Sequence, residues 1–210
     1  MSEMNRMNDE PQQGQEIDRL PLERYGLSHL EGSNLLTLEA ADLEKLLEAL
    51  GEDDISINLP IPCTKENLDR LLATAECRRC GRCCIPNPLI PDGGVEIFIE
   101  EIHAVARHLD LVEKDIMNQT TEGKIIIHPL KMNHLTFTRW LPLPCPFYRE
   151  DPGECRVHPV RPVVCEIHPL VFTGEISYMA VKVRCDYGKD LAVNAFKIIR
   201  ENEPDFEITL

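Results

Sequence analysis

Four cysteines fall within eight residues, from Cys77 to Cys84, at the spacing C-x2-C-G-x-C-C. Two residues between thiols let a tight turn direct both sulfur atoms toward one metal ion, and Gly81 has the backbone freedom that such a turn often needs. Adjacent side chains tend to diverge, so Cys83 and Cys84 are harder to assign to a single ion. We therefore interpret them as ligands of two different sites, or one of them as a reserve thiol.

The chain contains nine cysteines in all. Residues 1–16 have neither the apolar core nor the cleavage site of a signal peptide, and no apolar run reaches the length of a membrane span. We therefore expect a cytoplasmic protein without a membrane partner. Thiols stay reduced in that compartment, so the cysteines are interpreted as metal ligands before they are interpreted as disulfides.

The net charge of −14 argues against nucleic acid as a partner, because a polyanion would be repelled. The acidic excess is concentrated near the start, where residues 1–60 hold 14 acidic and 4 basic side chains. The cysteine loop, defined as residues 77–84, is instead locally basic through Arg78, Arg79 and Arg82. We interpret these arginines as an offset to the negative charge of thiolate–metal centres.

Few aromatic residues and 16 prolines predict an irregular fold that is held partly by something other than packing. We expect an α+β fold: a small metal-stapled domain at 63–210 with short strands and several helices, preceded by an acidic extension at 1–62. The extension is predicted to hold a disordered tail at 1–20 and a helix at 35–50 with one leucine-rich face. That face is expected to pack on the chain's own core or to contact a protein partner.

Apolar periodicity and capping residues predict the other elements. Thr37 and Gly51 are expected to begin and end the helix at 35–50, and Thr64 to cap a second helix at 65–75. Further helices are predicted at 100–109, 112–117 and 191–200, and strands at 95–99, 124–128, 134–140 and 176–183. The strands at 124–128 and 134–140 are expected to form a hairpin.

Four later cysteines have loop-like or strand-end settings: Cys145, Cys155, Cys165 and Cys185. With Cys77, Cys80, Cys83 and Cys84 they make eight thiols, enough for two sites of four thiolates each. The predicted partition places Cys77, Cys80, Cys83 and Cys145 on one centre and Cys84, Cys155, Cys165 and Cys185 on the other.

The remaining cysteine and two histidines are predicted to lie outside this set. Cys63 is interpreted as a small buried hydrophobic residue. His158 and His168 occur in a repeated C-x2-H-P pattern and are interpreted as polar turn residues beside proline, or as reserve ligands if a thiol is excluded.

These residues resemble the YkgJ-type cysteine-cluster family, the CxxCxxCC domain described as zinc- or iron-chelating. The resemblance covers about residues 77–187 and rests on the cysteine loop, on Cys145-Pro-Phe, on Arg161-Pro before Cys165 and on the late Cys185. It implies a metal or iron–sulfur protein, in a family whose members are often described as iron–sulfur oxidoreductases. One branch of that family is similar to flagellin lysine N-methylases.

Three functions follow as alternatives. The first is an iron–sulfur protein with a redox or electron-transfer role, for example as an oxidoreductase, because the predicted ligands are all thiolates. The second is a zinc-binding module in which the metal stabilises a proline-rich fold and the function is partner binding. The third, a protein lysine N-methylase, ranks lowest, because the chain has no glycine-rich cofactor turn. The sequence identifies no small-molecule substrate.

Overall fold

A computed structural model of the protein describes residues 15–16, 21–89, 93–131, 133–172 and 178–210. Its helices are Ala40–Glu52 (α1), Lys65–Leu72 (α2), Ile99–His108 (α3), Glu113–Asn118 (α4), Val163–Ile167 (α5) and Asp186–Asn202 (α6). Its strands are Gln15–Glu16 (β1), Ser56–Pro62 (β2), Gly94–Phe98 (β3), Thr121–Ile127 (β4), Leu135–Pro142 (β5), Tyr148–Arg149 (β6), Glu154–Cys155 (β7), Leu170–Phe172 (β8), Tyr178–Lys182 (β9) and Ile208–Thr209 (β10). Helices and small sheets together confirm the predicted α+β class.

The first hydrophobic core lies between α1, α2, α6 and the antiparallel sheet β2-β9-β8. Ile57 of β2 pairs with Val181 of β9, and neither side chain has any exposed surface. Leu46 of α1 and Leu191 of α6 are equally buried in this core. Apolar residues from both ends of the chain therefore share one interior, which burial of their surface stabilises.

The second core packs α3 and α4 against the antiparallel sheet β3-β5-β4. Its buried members include Ile97 of β3, Ile102 of α3, Ile116 of α4 and Leu141 of β5. Phe147, just after Cys145, is 2% exposed and belongs to the same core. The segment that leads to the later cysteines is thereby fixed to this second packing unit.

The boundary predicted at 62/63 does not correspond to a break in packing. Residues from 27 to 59 contribute to the same core as residues from 163 to 208, and β2 is hydrogen-bonded to β9. Leu46, Leu47 and Leu50 of α1 lie in that core, so this face is covered by the protein itself. A partner that binds through 35–50 stays a prediction and would have to use the opposite face. The predicted disordered tail at 1–20 lies outside the described residues, apart from β1.

The helix predicted at 35–50 begins later and ends later than expected. Asn34, rather than Thr37, caps a separate 3-10 turn at Leu35–Thr37 by accepting a hydrogen bond from Leu36 N at 3.0 Å. Gly51 lies inside the last turn of α1, where a Cβ would come within 2.7 Å of Val183 O. Close backbone approach, and not helix termination, is therefore the reason for glycine at this position.

Most other predicted elements agree with the structure. Thr64 caps α2 as expected, since its hydroxyl accepts from Asn67 N at 3.2 Å. The hairpin is formed by β4 and β5, and α3, α4 and β3 lie within a few residues of their predicted bounds. The closing helix is longer than predicted, because α6 starts directly after Cys185. Residues 176–177 of the predicted strand at 176–183 lie outside the described residues.

Among the residues that the structure describes, no helix combines the length and the apolar character needed to cross a bilayer.

Candidate metal centre

The cysteine loop lies between the two cores and is shaped by Gly81. Gly81 has a φ of +74°, a left-handed conformation that strains other residues. The ring of Tyr148 occupies the position that a Cβ at Gly81 would need. Cys84 N then donates to Gly81 O at 2.7 Å, which closes the turn before the last cysteine of the loop. Glycine is thus required twice at this position, by the backbone and by the neighbouring ring.

Cys84 and Cys145 bring the loop and the first later cysteine together. Cys145 N donates a hydrogen bond to Cys84 O at 2.7 Å, and the two thiols are also hydrogen-bonded. The sulfur atoms of Cys83 and Cys84 lie 3.8 Å apart. Adjacent cysteines therefore do not diverge here, and Cys83, Cys84 and Cys145 form a continuous group of sulfur atoms.

The three thiols differ in pKa because of the hydrogen bonds between them. Hydrogen bonds with Cys145 and with Cys83 raise the pKa of Cys84. The bond with Cys84 lowers the pKa of Cys83 to about 7, and the positive charges of Arg161 and Arg184 act in the same direction. The bond with Cys84 also lowers the pKa of Cys145. A lowered pKa favours deprotonation, which metal binding requires of a thiol.

Cys155 and Cys165 lie beside this group. Cys155 ends β7, which pairs with β6 through Tyr148 and Cys155, and Cys165 lies in α5. Burial raises the pKa of Cys155, and the nearby Cys145 and Cys83 add to the effect. Burial raises the pKa of Cys165 well above its ordinary value, and Cys83, Cys145 and Cys155 add to it. Cys155 and Cys165 therefore lie within electrostatic range of Cys83 and Cys145.

Cys185 is associated instead with the beginning of the loop. It immediately precedes α6, and burial raises its pKa to about 11, with further contributions from Cys80, Cys83 and Cys77. Cys77 packs against the first core, which also contains Cys185, whereas Cys145 and Cys155 pack against the second. Cys185 and Cys77 therefore lie at the same core, and Cys145 lies beside Cys84, whereas the predicted partition of the eight cysteines between two centres stays a prediction.

The eight cysteines do not form a complete coordination shell in this structure. Within the described ranges, no three His, Cys, Asp or Glu side chains are arranged closely enough to hold a metal ion. All nine cysteines are free thiols. Eight reduced thiols drawn from both cores are a donor set that fits zinc or an iron–sulfur centre.

Arginines connect the loop to α6 and surround its sulfurs. Arg78 donates to Asp186 at 3.1 Å and to Asp190 at 2.8 Å, and Arg82 donates to Arg184 O at 2.8 Å. Arg78 is therefore balanced by carboxylates. The charges that act on Cys83 come from Arg161 and Arg184, which sequence analysis did not identify as site residues. For Arg161 the signal was present, since it forms the Arg-Pro pair before Cys165.

His158 and His168 have other roles in this structure. Arg161 donates to His158 Nε2 at 2.9 Å, so that nitrogen is already an acceptor. Burial lowers the pKa of His158, and Arg161 and Arg79 reinforce the effect. Burial also lowers the pKa of His168 to about 4, with Lys182 acting in the same direction. Both are neutral histidines beside proline, in line with the interpretation as turn residues.

Cys63 lies apart from the eight thiols. It packs against the first core, and only burial raises its pKa, with no neighbouring thiol contributing. It lines an open cavity of about 590 Å³ together with Thr64, Lys65, Leu130, Lys131, Asn133 and His134. This position makes Cys63 a suitable control for the cysteines of the cluster.

Glu101 is a further residue that sequence analysis missed. Its carboxylate accepts from Phe98 N at 2.9 Å and from Val163 N at 2.6 Å. Burial raises its pKa, and the two backbone N–H groups oppose that shift. The bond to Val163 fixes the start of α5, the helix that carries Cys165. No local sequence signal relates two residues that are 62 positions apart.

A comparison with protein families gives one match. The model of the family CxxCxxCC, described as "Putative zinc- or iron-chelating domain", matches residues 76–186. No curated protein matches the chain, and no solved structure does. The matched range begins one residue before Cys77 and ends one residue after Cys185, so it contains all eight cysteines of the cluster.

Proposed function

The chain belongs to the CxxCxxCC family of zinc- or iron-chelating domains, and from this we propose that it is an iron–sulfur protein with a redox or electron-transfer role. The observation that carries the proposal is that Cys185 belongs to the hydrophobic core against which Cys77 packs, although 108 residues separate them. A C-x2-C-x2-C run completed by a distant cysteine is a ligand pattern of four-cysteine iron–sulfur clusters. Metal binding itself is supported by the family match.

We propose two groups of ligands, which meet where the sulfur atoms of Cys83 and Cys84 lie 3.8 Å apart. Cys77, Cys80, Cys83 and Cys185 would hold one centre, and Cys84, Cys145, Cys155 and Cys165 would hold the other. Each centre would supply one-electron transfer at a site bound only by thiolates. Cys80 is exposed, so a centre at the loop would be accessible to a redox partner.

Charges around Cys83 favour an anionic centre. Arg161 and Arg184 both stabilise its thiolate, and the N–H of Arg79 donates to the sulfur of Cys77 at 3.4 Å. Positive charge and N–H···S bonds raise the reduction potential of a cluster, because the reduced state carries more negative charge. A cytoplasmic location, where free thiols stay reduced, is part of the same proposal.

A structural zinc site is the second candidate, and one distance favours it. Four sulfurs placed tetrahedrally at about 2.3 Å from zinc are separated by about 3.8 Å. The sulfurs of Cys83 and Cys84 have this separation, 3.8 Å. Zinc would then link the two cores and contribute to folding. Because the ligand spacing and this distance favour different metals, direct metal analysis is the decisive measurement.

The test is anaerobic purification followed by iron, zinc and acid-labile sulfide analysis. Iron with equivalent sulfide, visible absorption and a paramagnetic reduced state would support the proposal. Bound zinc without sulfide in a colourless protein would overturn it in favour of the zinc candidate, and protein that binds neither metal would overturn both.

Single variants then test the two ligand groups. Cys185→Ser and Cys155→Ser each remove one proposed ligand from a different group, and Cys63→Ser is the control. Loss of different metal fractions in the first two, with an unchanged control, supports two centres. Equal loss of all metal in both variants would contradict the separation into two groups.

A further inference from the structure

Cys84 and Cys145 are connected through both the backbone and the side chains. Cys145 N donates to Cys84 O at 2.7 Å, and the two thiols shift each other's pKa through a hydrogen bond. The carbonyl oxygen of a residue lies about 2.4 Å from its own Cα, and its amide nitrogen lies about 1.5 Å from that Cα. The Cα atoms of Cys84 and Cys145 are therefore at most about 6.6 Å apart.

This separation suits a disulfide between the two residues. Disulfide-bonded residues usually have Cα atoms about 4.4–6.8 Å apart and side chains that point toward each other. The hydrogen bond between the thiols of Cys84 and Cys145 gives their side chains that direction. Formation of the S–S bond would thus require little movement of the backbone.

Cys83 is the other thiol close to Cys84, with the two sulfur atoms 3.8 Å apart. A disulfide between these adjacent residues is nevertheless disfavoured. Their peptide bond is trans, and Cα atoms across a trans peptide are about 3.8 Å apart, below the usual range for a disulfide. The small ring that such a bond closes would also distort the planar amide. Of the two thiols in contact with Cys84, Cys145 is therefore the one with suitable geometry.

The pair is accessible and lies at the junction of the two cores. Cys84 and Cys145 are each partly exposed, so a small oxidant can reach them, whereas Cys185 is buried. Cys77 at the start of the cysteine loop packs against the first core, and Cys145 packs against the second. A covalent bond between Cys84 and Cys145 would therefore join the two packing units, as a shared metal ion would.

We propose that hydrogen peroxide converts Cys84 and Cys145 of the metal-free chain into a disulfide that prevents metal binding at this pair. One thiol reacts with the peroxide, whose O–O bond breaks, to give a sulfenic acid and one water. The other thiol attacks the sulfenic sulfur, so that the S–S bond forms and a second water leaves. A disulfide sulfur is not a thiolate ligand, so metal and disulfide exclude each other. The inference rests on the proposed function only in taking both cysteines as ligands.

The experiment uses the full chain, reduced and stripped of metal by a chelator without oxygen. One equivalent of hydrogen peroxide is added, the remaining thiols are alkylated, and linked peptides are identified by mass spectrometry without reduction. We expect the bond from the cysteine loop to Cys145 to be the major linkage. Zinc should bind the oxidised chain at about half the stoichiometry of the reduced chain, because one of the two ligand groups is blocked. Reduction with dithiothreitol should restore zinc binding.

Variants identify which sulfur of the adjacent pair reacts. Cys83→Ser retains Cys84 and should still form the linkage to Cys145, whereas Cys84→Ser should lower its yield about tenfold or more. Cys63→Ser should give the linkage as the unchanged chain does. Equal yields in Cys83→Ser and Cys84→Ser, a mixture of pairs without a major linkage, or full zinc binding after oxidation would overturn the proposal.

The two proposals fail in different ways. A reduced chain that binds neither iron nor zinc would contradict the proposed function together with this inference. A reduced chain that binds metal but forms its major disulfide at another pair would contradict the inference alone.

Discussion

Cys145 donates its backbone N–H to the carbonyl oxygen of Cys84 at 2.7 Å, which joins the end of the cysteine loop to a segment 61 residues later in the sequence. The loop extends from the first core, and Cys145 packs against the second. The contact between Cys84 and Cys145 is therefore also a contact between the two packing units. A metal bound at these thiols would strengthen that connection, because coordination is coupled to folding.

Replacement of a cluster cysteine should remove metal, whereas replacement of Cys63 should not. Cys80→Ser and Cys165→Ser each delete one thiolate from the ligand set and should lower the metal content per chain by about half or more, together with the soluble yield. Cys63→Ser is the matched control, since no cluster thiol affects Cys63. Elemental analysis of the purified proteins measures the effect. Unchanged stoichiometry in both cluster variants would remove the ligand assignment, and equal loss in Cys63→Ser would show that the set of eight is wrong.

Loss of the Glu101 carboxylate should weaken both the fold and the retention of metal. Glu101→Ala leaves Phe98 N and Val163 N without their buried acceptor, at a cost of about 2–3 kcal/mol in the free energy of unfolding. Because the bond to Val163 fixes the start of α5, we also expect faster metal loss to a competing chelator. Denaturant unfolding and chelator competition measure the two effects.

The control for Glu101 is an exposed carboxylate in the same part of the protein. Glu113→Gln removes an exposed ion pair with His103 and should change stability by less than about 1 kcal/mol. Chelator kinetics of Glu101→Ala that match those of Glu113→Gln would limit Glu101 to a role in stability alone.

Local patterns predicted the helices, the hairpin and the Thr64 cap, because each depends on residues a few positions apart. Gly51 shows where that reasoning fails. A glycine near the end of a leucine-rich helix indicates termination, but here it permits the approach of Val183 O from a distant part of the chain. The start of α1 was also predicted too early, since Asn34 caps a separate 3-10 turn before it.

The set of candidate ligands could be read from the sequence, but their partition could not. Spacing identified the cysteine loop, and the order of later cysteines identified the family. Which later cysteine meets which part of the loop depends on how the two cores pack. Cys145 meets Cys84 because Phe147 is buried in the second core, and Cys185 lies at the same core as Cys77 because both ends of the chain form the first.

Substitution of Gly81 should be more damaging than substitution of another glycine with a similar backbone. Gly26→Ala (φ +68°) has no atom within 4 Å of the added Cβ and should cost about 1–2 kcal/mol for the left-handed conformation alone. Gly81→Ala (φ +74°) introduces the same backbone strain and also a clash between the added Cβ and the ring of Tyr148. It should therefore lower the free energy of unfolding more than Gly26→Ala does, and it should lower the metal content as well. Thermal unfolding and metal analysis of the two variants make the comparison.

A double variant isolates the clash at Gly81. Tyr148→Ala removes the ring, so Gly81→Ala combined with it should lose less stability than the sum of the two single losses. Simple additivity of the losses would show that backbone strain, and not the ring, accounts for the requirement for glycine.

Neutral His168 should make the protein less stable as the solution becomes acidic. Burial lowers its pKa in the folded state to about 4, below the ordinary value of 6.5, so the unfolded chain binds a proton between these two pH values and the folded chain does not. Above pH 6.5, His168 is neutral in both states and does not lower the free energy of unfolding. As the pH falls toward 4, the free energy of unfolding decreases by about 3 kcal/mol in total because of this residue. His168→Gln has no such proton to bind, so its stability should depend less on pH in this window. Denaturant unfolding of both proteins at matched pH values measures the difference, in which the effect of acid on the thiolates cancels. Parallel pH profiles would show that His168 is accessible to protons in the folded state.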